Sequence, residues 1–394
     1  LLNFNQPIST FVLPEGLTRL VFGQKFNQPL REKVLPANLT QISFGDNFNQ
    51  PFTADVLPAS LQQLTFGFRF NQSFGACVLP ANLTQLTFGD LFNQQLDEKV
   101  LPENLALLTF GAVFNQPFKM GVLPSQLRHL TLGERFNQPL HVGVLPASLT
   151  ELKFGHAFNQ HLSVGGLPAN LTQLTFGYRF NQHLNENVLP ASLTQLTFGG
   201  CFNQLLSKNV LPGALTPLSF GWSFDQPLPE GVLPSTLIRL EFGGSFKHSL
   251  AKGALPASLA QLHLGLRFNR PLRAGVLPVN LTQLTFGHDF NQILDAGVLP
   301  AGLTQLSFGD HYKKPLKEGV LPVSLVQLEF GLEFNQPLGE HILPVNLTNL
   351  TLGTCFDQPI SATMLPTKLT QLTLSRDYTH RLNLSEHVVI RYVE

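Results

Sequence analysis

A Leu-Pro dipeptide returns every 22 residues along this chain, and that period constrains the fold more than any other feature. It runs from Leu13-Pro14 through Leu35-Pro36 and Leu57-Pro58 to Leu365-Pro366, seventeen copies without an insertion or deletion. A globular chain of 394 residues would be expected to divide into two or three domains, whereas a strict period lets one core extend by stacking like units. The unit reads V-L-P-A-N-L-T-Q-L-T-F-G-x-x-F-N-Q-P-L-x-x-x. Its glycine is kept from Gly23 to Gly353 and gives way only to Ser375. The 34 Phe against two Met and one Trp fit the same reading: one residue type is held at one recurring position.

Within a unit the stretch L-T-Q-L-T-F places Leu83, Leu86 and Phe88 inward, with Thr and Gln between them, which is the strand of a leucine-rich repeat. Gly89 is read as permitting a turn. Phe92 of F-N-Q re-enters the core, Leu96 with Val100 and Leu101 forms the far wall, and Pro102 restricts the chain to an extended or turn conformation. Seven apolar side chains per coil cannot be buried by one coil, so neighbours close the core and the Phe positions form two aromatic spines. The expected fold is a repeat solenoid: a leucine-rich-repeat-like parallel β-solenoid of about eighteen 22-residue coils, elongated and curved, with little or no α-helix. At ~4.8 Å between strands it would span roughly 80–90 Å. The Asn of F-N-Q is expected to form an internal ladder, its amide linking the coil above to the coil below.

The pattern F-N-Q-P-L followed by V-L-P-A-N-L-T-Q-L-T-F-G resembles the FNIP repeat, a leucine-rich-repeat relative of social amoebae, other protists and giant viruses. The third letter is mostly Gln rather than Ile, and the Pro is replaced by Ser73, Gln95, His161, His183 and Leu205. The resemblance implies an interaction surface. Members of the family often carry the repeats behind an F-box, which would imply recruitment of partners for ubiquitylation; these residues contain no F-box, so any such domain would lie upstream. The solenoid is read as a single array over residues 1–374, and residues 375–394 as a divergent last coil and cap in which His387–Val393 form a terminal strand. The chain starts mid-coil, so its amino-terminal cap is read as either absent or part of a missing upstream segment.

Chemistry has few places to reside. The outward strand positions, which would face the concave side, are monotonous Thr and Gln; they suit coil-to-coil pairing, with ice or polysaccharide binding as a remote alternative. Two islands break the monotony: Arg128, His129, Glu151 and Lys153, and Arg239, Glu241 and His263. Each sets an acid beside a His one coil away, but neither offers a nucleophile with an oxyanion pocket, so ion pairs or partner contacts are expected rather than catalysis. The residue after the repeat glycine varies most and includes Phe68, His156, Tyr178, Trp222, Leu266 and His288. Aromatic side chains on the rim of a binding face are common contact residues.

No P-loop, dinucleotide fingerprint or Cys-x-x-Cys occurs, and neither a cofactor nor a metal is expected. His161 and His183 share a phase but supply only half a zinc site. Lys plus Arg equals Asp plus Glu at 25, which gives no field for nucleic acid, and no apolar run is long enough to span a membrane. Cys201 and Cys355 share a phase seven coils apart, on the order of 34 Å, and Cys77 lies at another, so no internal disulfide is expected. Free thiols lean intracellular. Against this, Asn38, Asn82, Asn170, Asn280 and Asn346 head sequons in the turn before the strand, although the repeat itself generates them. Asn71 and Asn383 also head sequons, the first within the ladder. The reading is a non-enzymatic scaffold that binds a protein partner through its concave face and rim. The alternative is a structural or surface component, glycosylated or not, that assembles by end-to-end stacking.

Overall fold

The computed structural model describes residues 3–382 and 387–393; Asn383 and its sequon lie outside them. It divides into two compact units, residues 1–199 and 200–394. In the first unit nine three-residue strands run from Arg19–Val21 to Gln195–Thr197. Each is parallel to and in register with the next, as in Leu64 opposite Leu86 and Leu86 opposite Leu108. The second unit repeats the arrangement from Pro217–Ser219 onward. There the five-residue strand Val389–Val393 pairs in parallel with Gln371–Ser375. The one helical element among the described residues is a 3-10 turn at Ala362–Met364. The fold is thus a parallel β-solenoid with essentially no helix.

Most coils are shaped by three hydrogen-bonded turns. In the coil around Gln85–Thr87, Leu83 N–H donates to Pro80 O (3.1 Å), Phe92 N–H to Gly89 O (3.1 Å) and Val100 N–H to Asp97 O (3.4 Å). Every turn ends on a residue that is then buried: Leu83 and Phe92 at 0%, and Val100 at 4% exposure. Leu86, Phe88, Leu96 and Leu101 complete the seven inward side chains. Burial of such side chains stabilises the fold by about 1.5–3 kcal/mol apiece.

The third turn demands a left-handed residue at its third position, as type II turns do. Sixteen successive coils meet that demand, from Phe11 (φ 66°) to His341 (φ 64°), eight of them with Gly. The repeat glycine itself plays another part. Its φ is not left-handed; a Cβ on Gly89 would instead sit 1.7 Å from Gly67 O, and one on Gly177 would sit 1.6 Å from Gly155 O. The expected turn does begin at it, but what requires glycine there is close approach of one coil to the previous one rather than a left-handed φ.

The two aromatic spines are present. In the first unit, rings from Phe4 to Phe180 stack at centroid distances of 6.0–6.3 Å along one spine. The second spine, Phe22, Phe44, Phe66, Phe88 and Phe110, meets the first at about the van der Waals limit, with Phe88 and Phe92 centroids 3.8 Å apart. Leu132 interrupts it. In the second unit Tyr312 takes a spine position, fully buried between Phe290 and Phe334 at 6.1 Å from each. Its hydroxyl finds no hydrogen-bond partner among the described residues, and burial pushes its ionisation far above the usual tyrosine range. Tyr378, also in the spine, donates its hydroxyl to Gln358 O (3.0 Å).

The Asn ladder exists in a different form from the one expected. Asn71 Oδ1 accepts the backbone N–H of Asn93 (2.9 Å) and also Gln94 Nε2 (3.0 Å), both on the following coil. The ladder thus runs from side-chain oxygen to backbone nitrogen, is half-buried, and recruits the Gln of F-N-Q as a second donor. The strand Thr behaves similarly: Thr84 Oγ1 donates to Gln62 O (3.1 Å), so coil-to-coil pairing on this face goes through the backbone.

Candidate interaction surface

Because the core side of every coil is fixed by the repeat, differences between coils are confined to exposed positions. In the first unit Phe68 and Tyr178 are about half exposed, at 47% and 51%. His156 stacks flat on Tyr178, with centroids 4.9 Å apart and planes 10° from parallel. These two rings border a shallow groove along the strand ends. Thr131, Lys153 and Thr175 line it, Glu134 stands at its edge, and Gly111, Gly133, Gly155 and Gly177 form the floor. Gly111 and Gly155 are half-buried and Gly133 and Gly177 buried; each carbonyl already accepts a turn hydrogen bond, as Gly155 O does from Phe158 N–H (3.4 Å). Of the first island, His129 Nδ1 lies 3.0 Å from Glu151 Oε2 across adjacent strands, an exposed ion pair. Arg128, just before the first of these strands, and Lys153, at the end of the second, are exposed.

In the second unit Trp222 is 53% exposed and Leu266 41%. Trp222 lies over Gly244, where an added Cβ would meet the indole at 2.8 Å, so the next coil makes room for the ring. The second island forms differently from the first. Glu241 and His263 share a register, yet Glu241 pairs with Arg239 on its own strand and accepts Ser219 Oγ (3.2 Å). His288 does not stand alone on the rim: its Nδ1 is 2.9 Å from Asp289 and its Nε2 3.5 Å from Asp310. The hydrogen bond that His288 Nδ1 donates to the Asp289 carboxylate holds the His288 pKa above the usual histidine value.

The sequon amides have structural partners. Asn38 Nδ2 donates to Glu15 O (3.0 Å), and Asn82, Asn170 and Asn280 each reach a carbonyl of the preceding coil at 2.9 Å. Asn346 does the same to Val323 O (3.0 Å). Where Ser replaces Asn, as at Ser60, its hydroxyl takes over the link to Ala37 O (2.6 Å). This position therefore joins coil to coil where Asn, Ser or Thr fills it, as Thr236 does to Gly213 O (2.7 Å); Ala214 and Gly302 at the same position have no side-chain donor. Cys77 and Cys355 are exposed, Cys201 is half-buried, and all three are free thiols. No helix of the described residues is long and apolar enough to cross a membrane.

The FNIP repeat model matches nine times in succession, from residues 4–40 and 26–69 through 334–377. The chain belongs to the FNIP-repeat family. Among solved structures it is similar to CroV588, a giant-virus protein described as a novel circular leucine-rich-repeat structure, with 43% identity and a TM-score of 0.84. That match covers 99% of this chain and 64% of the other, so the chain spans a little under two thirds of that relative. It is also similar in fold to a chain of the Toll–Spätzle complex of Drosophila (15% identity, TM-score 0.56, 95% of this chain and 56% of that one). YopM of Yersinia enterocolitica aligns at 20% identity over 96% of this chain and 92% of its own, with a TM-score of 0.47. No curated protein matches in sequence. Leucine-rich-repeat-like solenoids are commonly interaction scaffolds and generally not enzymes.

Proposed function

We propose that the chain is a protein-interaction scaffold, and that the first unit carries a docking surface made of the groove beside Lys153, His156 and Tyr178. The observation that carries this reading is the stacked His156–Tyr178 pair standing exposed beside a groove lined by Thr131, Lys153 and Thr175. Aromatic rings lose little conformational entropy on binding and bury much area, which makes them energetic anchors. Thr131 and Thr175 offer hydroxyls along the groove, and Lys153 and Glu134 supply charges of both signs. Phe68 extends the surface toward the amino-terminal coils; Trp222 and Leu266 are the corresponding anchors of the second unit.

The test isolates a partner with the wild-type chain, reconstitutes binding from purified components, and compares it with H156A/Y178A and with F68A/Y178A/W222A. Loss of at least about tenfold in affinity, roughly one hot-spot residue's worth, is expected for the first variant and more for the second. Unchanged affinity in both would remove the rim from the account.

A second reading, self-assembly, draws support from the relative at 43% identity being described as circular, since a ring closes by pairing like repeats. Sedimentation at high concentration would find larger species; a strictly monomeric chain would discard this reading.

A further inference from the structure

Two neighbouring coils of the second unit carry complementary dipeptides after the repeat glycine. One reads Gly287-His288-Asp289-Phe290 and the next Gly309-Asp310-His311-Tyr312. Parallel stacking sets these segments side by side, fixed by a hydrogen bond from His311 N–H to His288 O (3.0 Å). The result is an alternating square of two imidazoles and two carboxylates. The imidazole centroids are 4.1 Å apart with the rings at 79° to each other.

We infer that His288, Asp289 and His311 form a binding site for a divalent transition-metal ion of the zinc type. One ligand atom from each of the three lies within 4.8 Å of the other two. Zinc bonds of about 2.0–2.1 Å set ligand atoms roughly 3.4 Å apart, so closing the site requires about 1.4 Å of movement at most. Half-exposed side chains make such a movement by small torsional changes, and the backbone is already fixed by the coil pairing. Two imidazole nitrogens and one carboxylate suit zinc or its first-row neighbours rather than calcium or magnesium, which prefer all-oxygen shells.

The surroundings favour the same chemistry. His311 Nδ1 lies 2.9 Å from Glu333 Oε2, which leaves the opposite ring nitrogen for a metal. Lys313 Nζ, 2.8 Å from the same oxygen, keeps Glu333 engaged as an orienting group. Asp310, 3.5 Å from His288 Nε2, adds a second negative charge beside the site. His161 and His183 also share a phase on adjacent coils, but have no such carboxylate frame among the described residues, which makes them the internal comparison.

The experiment titrates the whole purified chain with Zn²⁺ by calorimetry and with Co²⁺ by visible absorption. One saturable equivalent is expected, with the absorption of low-coordinate cobalt. Affinity should fall on the order of 10–100-fold in H288A, in H311A and in D289N, and stay unchanged in H161A/H183A. Circular dichroism of each variant checks that the fold is kept, and the smaller changes H288N and H311N repeat the test with less loss of packing. Absence of saturable binding, binding that survives H288A/H311A, or binding lost in H161A/H183A would each overturn the site.

Discussion

The residue scale shows what a repeat tolerates and what it does not. Tyr312 fills a Phe position at the cost of an unpartnered buried hydroxyl, which destabilises by an amount usually in the range of about 1–3 kcal/mol. Tyr312→Phe should therefore raise the melting temperature of the second unit, whereas Tyr378→Phe, which forfeits the bond to Gln358 O, should leave it level or lower it. Paired thermal melts would check both directions. At this scale the sequence was only partly legible. The Asn of F-N-Q was recognisable as a ladder because it recurs, but recurrence does not say which atoms meet. The bond to the next backbone N–H and the role of the neighbouring Gln emerge only when two coils are placed side by side. Likewise, Asp225 replaces an Asn without breaking the ladder because a carboxylate oxygen accepts as an amide oxygen does, here from Lys247 N–H at 3.2 Å.

At the scale of the element, two classes of glycine do different work. Gly177→Ala forces a Cβ to within 1.6 Å of a backbone oxygen, which no rotamer relieves, so the pair of coils must part; a loss of roughly 3–5 kcal/mol is expected. Gly319 has φ +77° with open space around it, and the equivalent position is Asn in two other coils, so Gly319→Asn should cost about 1 kcal/mol or less. Chemical denaturation of the two variants would separate the roles; similar losses would mean that close approach is not what the strand glycine provides. The strands, inward side chains and spines were all readable from spacing, since burial follows from the pattern of Leu and Phe. The left-handed turn position was not, because a quarter of its sixteen occupants, Phe11, Lys33, Cys77 and Lys99, are residues that seldom mark such a turn. The His-Asp and Asp-His dipeptides were visible in the sequence, but reading only the first residue after each glycine isolates His288 from Asp289 and His311.

At the scale of the molecule, the backbone and ladder contacts reach only the adjoining coils, and each is made at a fixed offset: 22 residues for the Asn bond and 23 for the Gln bond that shares its acceptor. Stability in such an array is a sum of coil and interface contributions. Deleting residues 97–118, one whole repeat of the first unit, should give a chain that melts cooperatively within a few degrees of the parent. Deleting half that stretch puts a turn where a strand must pair and should abolish the cooperative transition. Far-ultraviolet dichroism during heating tells the two apart. The family and fold follow from these contacts, while the partner is written in the few exposed positions the contacts leave free, which is why spacing alone named candidates and could not rank them. The fixed offset also has a genetic consequence. Unequal recombination between near-identical coding repeats adds or removes whole coils and so keeps every bond in phase, letting a lineage change the extent of its surface in single mutational events while every intermediate product still folds.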